Sequence, residues 1–272
     1  MGVRDAPAPE KRMRTIWKRW MGNVGRLTPS HLAIASVVSL ALALGVAGCE
    51  NVAGYTQPSL VRVIDASYIA PAVNFWVEGV LLGANLGEGT ISNYGTVPAA
   101  NSASVVVTAA TATNPTSGNA LVTSNVTLKA GMQHSIFLTD NGAAPTSYTV
   151  TVLEDNISSA VGHSTFRFLN QAPRTGAVDV YMVPANTTLA NTIPVATALP
   201  VGSTAETTFT SQPVTMVITP TGLTTPKYTS TALGLTGGEV YTVVIIDSQL
   251  TSNPPVNVVL VCDNTDNTKC TL

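Results

Sequence analysis

Lysine and glutamate, the residues that usually fill the exposed faces of surface helices, are scarce in this chain. Charged residues of all kinds make up 10% of its 272 residues, against about 25% in ordinary soluble domains. Beyond the first fifty residues no apolar pattern keeps a helical period. Also missing are the short motifs of common chemistries: there is no H-E-x-x-H, no C-x-x-C, no Walker A loop and no dinucleotide glycine fingerprint. No basic stretch is interleaved with aromatic residues, so the sequence offers no nucleic-acid surface. What remains is rich in Val, Thr, Ala, Ser, Asn and Gly. Branched β-carbons pack well on a pleated surface, and Gly, Pro and Asn supply turns. The expected class is all-β.

The charge that is present is unevenly placed. Seven Lys/Arg and two acids lie between Met1 and His31, and Leu32 to Gly45 then run fourteen residues with only Ser36 and Ser39 polar. A spanning helix needs ~20 apolar residues. A basic segment, a shorter apolar run and small residues at its end make a secretory signal. The residues closing the run, Val46, Ala47, Gly48 and Cys49, resemble a bacterial lipobox. That resemblance implies removal of residues 1–48, a diacylglyceryl group on Cys49 and acylation of the freed amine. One acyl chain anchors only marginally, at ~0.8 kcal/mol per buried methylene, whereas several hold firmly. Glu50 stands where Asp commonly marks inner-membrane retention in such proteins. The expected address is the bacterial cell envelope, lipid-anchored at the outer membrane and facing the periplasm or the surface, with residues 49–59 as a tether. From Cys49 onward six Lys/Arg face thirteen acids.

Two passages repeat in order. Val61 to Val77 (VRVIDASYIAPAVNFWV) aligns with Phe166 to Met182 (FRFLNQAPRTGAVDVYM) at an offset of 105. Leu128 to Asp140 (LKAGMQHSIFLTD) aligns with Leu235 to Asp247 (LTGGEVYTVVIID) at 107. Near-equal offsets argue for a duplication, giving units at residues 60–157 and 164–263, a short joint between them and a tail at 264–272. Each unit reads as seven or eight short strands with turn signals between, the pattern of an immunoglobulin-like β-sandwich, with a barrel as the alternative. The strands expected in the first unit are Leu60–Ile64, Val73–Val77, Thr90–Val97, Ser104–Thr111, Ala120–Leu128, His134–Asp140 and Tyr148–Leu153. With a full strand set, the first unit is expected to fold by itself.

The stretch from Leu60 to Ala100 is similar to the opening of the DUF4397 domain family. The likeness rests on Val61–Ser67, Ala70–Gly79, Gly89–Tyr94 and Val97–Ala100. Asp65, Asn74 and Ala100 replace a common His, Asp and Gly, and the second unit keeps only GAVDVYM. The resemblance implies an exported β-sandwich module, often in tandem. The family has no assigned activity.

Few residues invite a chemical role. His134 falls in a strand and His163 in the joint, neither within a nucleophile motif. A Ser–His–Asp triad would need one of them beside a serine and an acid. The acids are scattered; Asp140 and Asp247 close strands, where Asp commonly bonds to local backbone. Asp263 to Thr268 offer oxygen ligands but lack the glycine and closing Glu of a calcium loop. Arg62 and Arg167 occupy equivalent positions and read as surface arginines paired with acids, or as a shared ligand site. Trp76 and Tyr181 read as core or core-edge residues, or as an aromatic platform. No catalytic, cofactor-binding or metal-binding residue is assigned. Once Cys49 carries lipid, Cys262 and Cys270 remain as a pair, expected to form a disulfide in an oxidising compartment. The expected function is a non-enzymatic envelope module that binds or scaffolds, its partners being the membrane through its lipid and an envelope protein or glycan. The alternatives are a carbohydrate-binding or adhesion module and a carbohydrate-active hydrolase.

Overall fold

The computed structural model describes residues 56–116, 118–142, 147–155, 158–248 and 256–263. Eight strands form the first half: β1 (Ser59–Asp65), β2 (Val73–Val77), β3 (Val80–Leu86), β4 (Gly95–Val97), β5 (Ala100–Ala109), β6 (Ala120–Leu128), β7 (Gln133–Asp140) and β8 (Tyr148–Glu154). Eight more form the second: β9 (His163–Gln171), β10 (Val178–Pro184), β11 (Ala196–Leu199), β12 (Thr204–Thr210), β13 (Val214–Pro220), β14 (Tyr228–Leu233), β15 (Val240–Asp247) and β16 (Val256–Cys262). One 3-10 turn, Leu189–Asn191, interrupts them.

Four four-stranded sheets result. In the first half the inner sheet runs β4-β1-β7-β8 and the outer sheet β3-β2-β5-β6; in the second half the orders are β12-β9-β15-β16 and β11-β10-β13-β14. Adding eight to each label of the first half gives the second. Immunoglobulin sandwiches are built of antiparallel sheets; here each inner sheet contains a parallel pair, β1 with β7 and β9 with β15.

Alternation explains where each sheet sits. Val61 and Val63 of β1, Phe75 of β2, Val105 and Val107 of β5 and Ile136 and Leu138 of β7 fill the core between the first half's two sheets. Phe166, Phe168, Val180, Met216, Val243 and Ile245 do the same in the second half, with Phe166 stacked on Tyr241 at 4.9 Å. The intervening residues of the inner strands face the other way and are buried as well. Ile64, Ala66 and Phe137 from the first half meet Leu169, Val244, Ile246, Val259 and Val261 from the second in a third apolar cluster. The two inner sheets therefore lie against each other. Strands buried on both faces read as continuous apolar runs rather than alternating ones, and β15 (VYTVVIID) is buried along its whole length.

The strand expectations hold in the main, with one omission and one contraction. The stretch VLLGANL forms β3, a strand absent from the expected set. Glu78 and Gly79, at φ 51° and 76°, make the tight two-residue turn that brings it back beside β2. Gly83 lets β3 approach the core closely, since a Cβ there would sit 2.7 Å from Val63 Cγ2. The expected strand Thr90–Val97 contracts to Gly95–Val97, preceded by one isolated bridge from Ile91 to Ile64. His163, expected in the joint, opens β9.

The shared third cluster changes the expectation for the first half alone. Its inner face, with Ile64 and Phe137 fully buried, would be wetted without the second half. Phe137→Ala is expected to cost about 3–5 kcal/mol, as for other buried aromatic truncations, and to split a single urea unfolding transition into two. An unsplit transition of unchanged midpoint would show that the halves do not depend on this layer.

Candidate functional site

Among the described residues the largest fully buried side chain is Arg62. It projects from β1 on the same face as Ile64, toward the second half. The register sets Ser135 of β7 beside it, and its Nε donates to Ser135 Oγ at 2.6 Å. Its Nη1 donates across to the Cys262 carbonyl at 2.7 Å, and its Nη2 to Asp263 Oδ1 at 2.5 Å. Arg167 repeats the arrangement from β9. Its Nε donates to Thr242 Oγ1 at 3.0 Å, its Nη1 to the Glu154 carbonyl at 2.6 Å and its Nη2 to Asp155 Oδ1 at 2.9 Å. Each arginine thus takes a hydroxyl from its own inner sheet and a carbonyl and carboxylate from the end of the other half's last strand.

The two sets interlock. Ser135 donates to Asp155 Oδ2 at 2.6 Å and Thr242 to Asp263 Oδ2 at 2.5 Å. Arg167 Nη2 also reaches Asp263 at 3.3 Å, and Arg62 Nη2 lies 3.7 Å from Asp155. Tyr94, just before β4, donates its hydroxyl to Asp155 Oδ2 at 2.8 Å and lays its ring 4.8 Å from the Arg62 guanidinium carbon. Two cations and two anions cancel. Burial lifts the Asp263 carboxyl to about 6, with the like charge of Asp155 adding to the rise and Arg167, Thr242 and Arg62 opposing it. Burial likewise raises the Tyr94 hydroxyl, which stays protonated and donating. The expectation of surface arginines is therefore corrected: both are buried, and their acids come from the opposite half. The members of the cluster serve as one another's hydrogen-bond partners.

His134 does sit beside a serine. Its Nδ1 lies 2.9 Å from Ser59 Oγ, and its Nε2 accepts the Lys129 N–H at 3.4 Å. Because Nε2 is the acceptor, the ring proton is on Nδ1 and is donated to Ser59, whose own hydroxyl donates to the Met132 carbonyl at 3.2 Å. A histidine so arranged cannot take a proton from that serine. Both residues are shut off from solvent, and the pair fastens the start of β1 to β7. His163 is exposed at the start of β9, its Nδ1 3.3 Å from the Val161 carbonyl.

The strand-closing acids bond farther away than expected. Asp140 accepts the Ser67 hydroxyl at 2.6 Å and the Tyr68 N–H at 2.9 Å; Asp247 accepts the Arg174 N–H at 2.7 Å and the Thr175 hydroxyl at 2.6 Å. Each pins the loop that follows its half's first strand. Asn74 accepts the Asn85 N–H of β3 at 2.8 Å and donates to the Ala112 carbonyl of the loop after β5 at 3.0 Å; Asp179 accepts the Ala198 N–H of β11 at 2.7 Å and the Gly222 N–H of the loop after β13 at 3.0 Å. Trp76 and Tyr181 are half-buried and belong to none of the three apolar clusters. On the outer faces Trp76 stands opposite Val106 and Tyr181 opposite Val217, so the core placement is corrected and no row of aromatics forms. Cys262 closes β16, its side chain packed in the second half's core. Cys49, Cys270, the signal segment, residues 49–55 of the tether and residues 264–272 lie outside the described residues; Ser59, expected to end the tether, opens β1. Among the described residues no three His, Cys, Asp or Glu are placed to hold a metal, and no helix is long and apolar enough to cross a membrane.

These features define an all-β protein of four sheets with a buried charge cluster between its halves. Residues 59–181 match the family described as Domain of unknown function (DUF4397), a span from β1 into β10. No curated protein matches the chain. Among solved structures, a candidate cell adhesion protein from Bacteroides uniformis is 12% identical over 79% of this chain and 100% of its own, at a TM-score of 0.25. One from Bacteroides eggerthii is 12% identical over 79% and 97%, at 0.21. The tip fimbrial protein of Porphyromonas gingivalis, truncated at its C-terminus, is 8% identical over 77% and 100%, at 0.22. Values this low establish no common fold, and nothing is carried over from these proteins.

Removing one member of a buried charge cluster strands the others. Arg62→Ala is expected to destabilise the protein by about 3–5 kcal/mol in denaturant titration. Arg62→Lys is expected to rescue little, because a single ammonium cannot reproduce the three-way fork. Recovery with lysine would mean that charge alone matters. For His134, burial lowers the pKa below its ordinary 6.5. The unfolded state then binds the proton more readily, so this residue's contribution is present above pH 6.5 and lost as pH falls below it. The stability difference between the native protein and His134→Gln is expected to vary with pH only in that acid range.

Proposed function

We propose that the chain is a lipid-anchored, non-enzymatic protein of the bacterial cell envelope, its two DUF4397-like units forming one stiff binding or structural module. Each unit, residues 60–157 and 164–263, is read as a sandwich of two packed sheets, immunoglobulin-like in its layering and related to the other by duplication. The observation that carries the reading is the reciprocal Arg62–Asp263 and Arg167–Asp155 bonding. The side chains best suited to chemistry are spent on joining the halves, and the Ser59–His134 pair is closed to substrate and in the wrong tautomer for catalysis. A body so joined has no cleft between its halves to open and close. It presents instead a hydroxyl- and amide-rich outer surface at the end of a tether, toward an envelope protein or glycan.

Anchoring at Cys49 follows from the basic, apolar and VAGC order of residues 1–49. With a fatty-acid analogue supplied to cells, label is expected on the native protein and not on Cys49→Ala, which should leave the membrane fraction and accumulate as precursor. Equal labelling of the two would sink the anchor. A Cys262–Cys270 disulfide would close a small loop and stabilise by ~2–3 kcal/mol at most. Its expected signature is an intact mass two protons lighter before reduction, with no alkylation of either thiol. Two alkylated cysteines in the unreduced protein would rule the bond out.

A further inference from the structure

The inner sheets of the two halves end in matched corners that differ in one atom. Asp65 closes β1, and Asn170 holds the equivalent place in β9. Both accept the N–H two residues on, Ser67 to Asp65 Oδ1 and Ala172 to Asn170 Oδ1, each at 3.0 Å. Both hold the turn from the third strand by the same main-chain pair. Asp65 N–H donates to the Thr90 carbonyl at 3.1 Å and receives the Gly89 N–H at 2.7 Å; Asn170 N–H donates to Ser203 at 3.1 Å and receives the Gly202 N–H at 2.7 Å. The second side-chain atom differs. Asn170 Nδ2 donates to the carbonyls of Gly176 and Leu199, both at 2.9 Å. Asp65 Oδ2 is buried with no hydrogen-bond partner among the described residues, on a side chain wholly removed from solvent.

An ionised carboxylate only accepts, whereas a carboxylic acid can donate as the asparagine amide does. The ionisable groups acting on this carboxyl are Asp140 at the end of β7, Glu88 in the β3–β4 turn and Tyr148 at the start of β8. Asp140 in turn feels Asp247 at the end of β15 and Arg174 in the β9–β10 loop, as does Tyr68 in the β1–β2 turn. Arg174 lies 4.3 Å over the Tyr68 ring and 3.8 Å from Asp247. Among the described residues no cation is one of the groups acting on Asp65.

We propose that Asp65 is a proton-operated latch: its neutral carboxyl holds the β1–β2 and β3–β4 turns against the inner sheet, and loss of its proton loosens them together with the Tyr68–Arg174 contact joining the halves there. Burial, then Asp140 and Glu88, raise this carboxyl to about 7 against the Ser67 N–H that opposes the rise. In an opened corner it would titrate near 4. A group whose pKa is raised in the closed form favours that form fully below about pH 4 and progressively less until about pH 7, above which the effect is level. The latch is thus tight in acid and slack at and above neutrality.

Amide exchange on the full chain, corrected for intrinsic rates, reads the latch directly. The opening constant at Ser67, Tyr68, Gly89 and Thr90 is expected to rise about tenfold per pH unit between pH 5 and 7 and to level off above 7. In Asp65→Asn those amides should stay as protected at pH 8 as at pH 5, since the amide is uncharged at every pH. The amides beside His134, at the opposite end of β7, serve as the reference that does not follow this curve. Equal pH slopes in the two proteins would overturn the proposal. So would a carboxyl carbon resonance of Asp65 titrating near 4 in the unmodified protein, a measurement that decides the matter even if the variant fails to fold.

Discussion

A guanidinium can be buried only if its donors find acceptors in a fork of fixed shape, and two of them face this requirement between the inner sheets. Neither half alone can meet it. Arg62 has Ser135 from its own sheet but depends on Cys262 and Asp263 for its outer nitrogens, while Arg167 has Thr242 but depends on Glu154 and Asp155. The halves must therefore meet at one register, with the ends of β8 and β16 each brought over the other half's first strand. Apolar contacts such as Phe137 against Val244 supply most of the attraction, since burial of apolar area is the main favourable contribution and has little directionality. The charge cluster adds choice among arrangements. Buried ion pairs contribute weakly to net stability because desolvation offsets attraction, and the best-attested benefit of keeping them is a fixed register.

The same constraint governs what the body can do. Hinge motion between packed domains needs an interface that can part and close with small change in energy. Parting these halves would expose two arginines and two aspartates together with the apolar layer around them, so the two halves are held as one piece. The polar groups that hold the loops act to the same end. Asp140, Asp247 and Asp179 each accept a backbone N–H from a loop distant in sequence, and Asn74 donates to the Ala112 carbonyl of another. Loops that usually carry mobility and function are here tied back to the sheets.

Much of this was legible in residue types and little of it in distances. Period-two alternation, β-branched runs and turn residues placed most strands, and the repeat at offsets of 105 and 107 anticipated that β9–β16 would follow the order of β1–β8. The missed strand, β3, has glycine at both borders and one inside, and only its packing against Val63 shows why a glycine is tolerated there. Arg62 and Arg167 were visible as a matched pair, yet a lone arginine in an apolar run looks the same whether it snorkels to solvent or enters a buried fork. Its acids lie 93 and 201 residues further on, and no local pattern couples them. Trp76 shows the opposite failure: an aromatic in an apolar strand suggests a core, but its place one residue after Phe75 turns it to the outer face.

The residues that carry the family resemblance are largely those that close corners and hold the halves. Arg62 and Tyr94 enter the charge cluster, and Ser67 meets Asp140. A motif of that kind specifies an architecture, and it is compatible with many surfaces and hence many partners. Where the halves diverge, the difference falls on polar atoms at those same corners: Ser135 against Thr242, Asn74 against Asp179, Asp65 against Asn170. The first two exchanges preserve the bonding through a hydroxyl or a carbonyl-type acceptor. The third removes a donor from a buried corner and puts a titratable group in its place. Of the polar atoms that the described residues leave buried without a partner, this oxygen is the one on a carboxyl wholly removed from solvent, and proton concentration is the variable to which it responds.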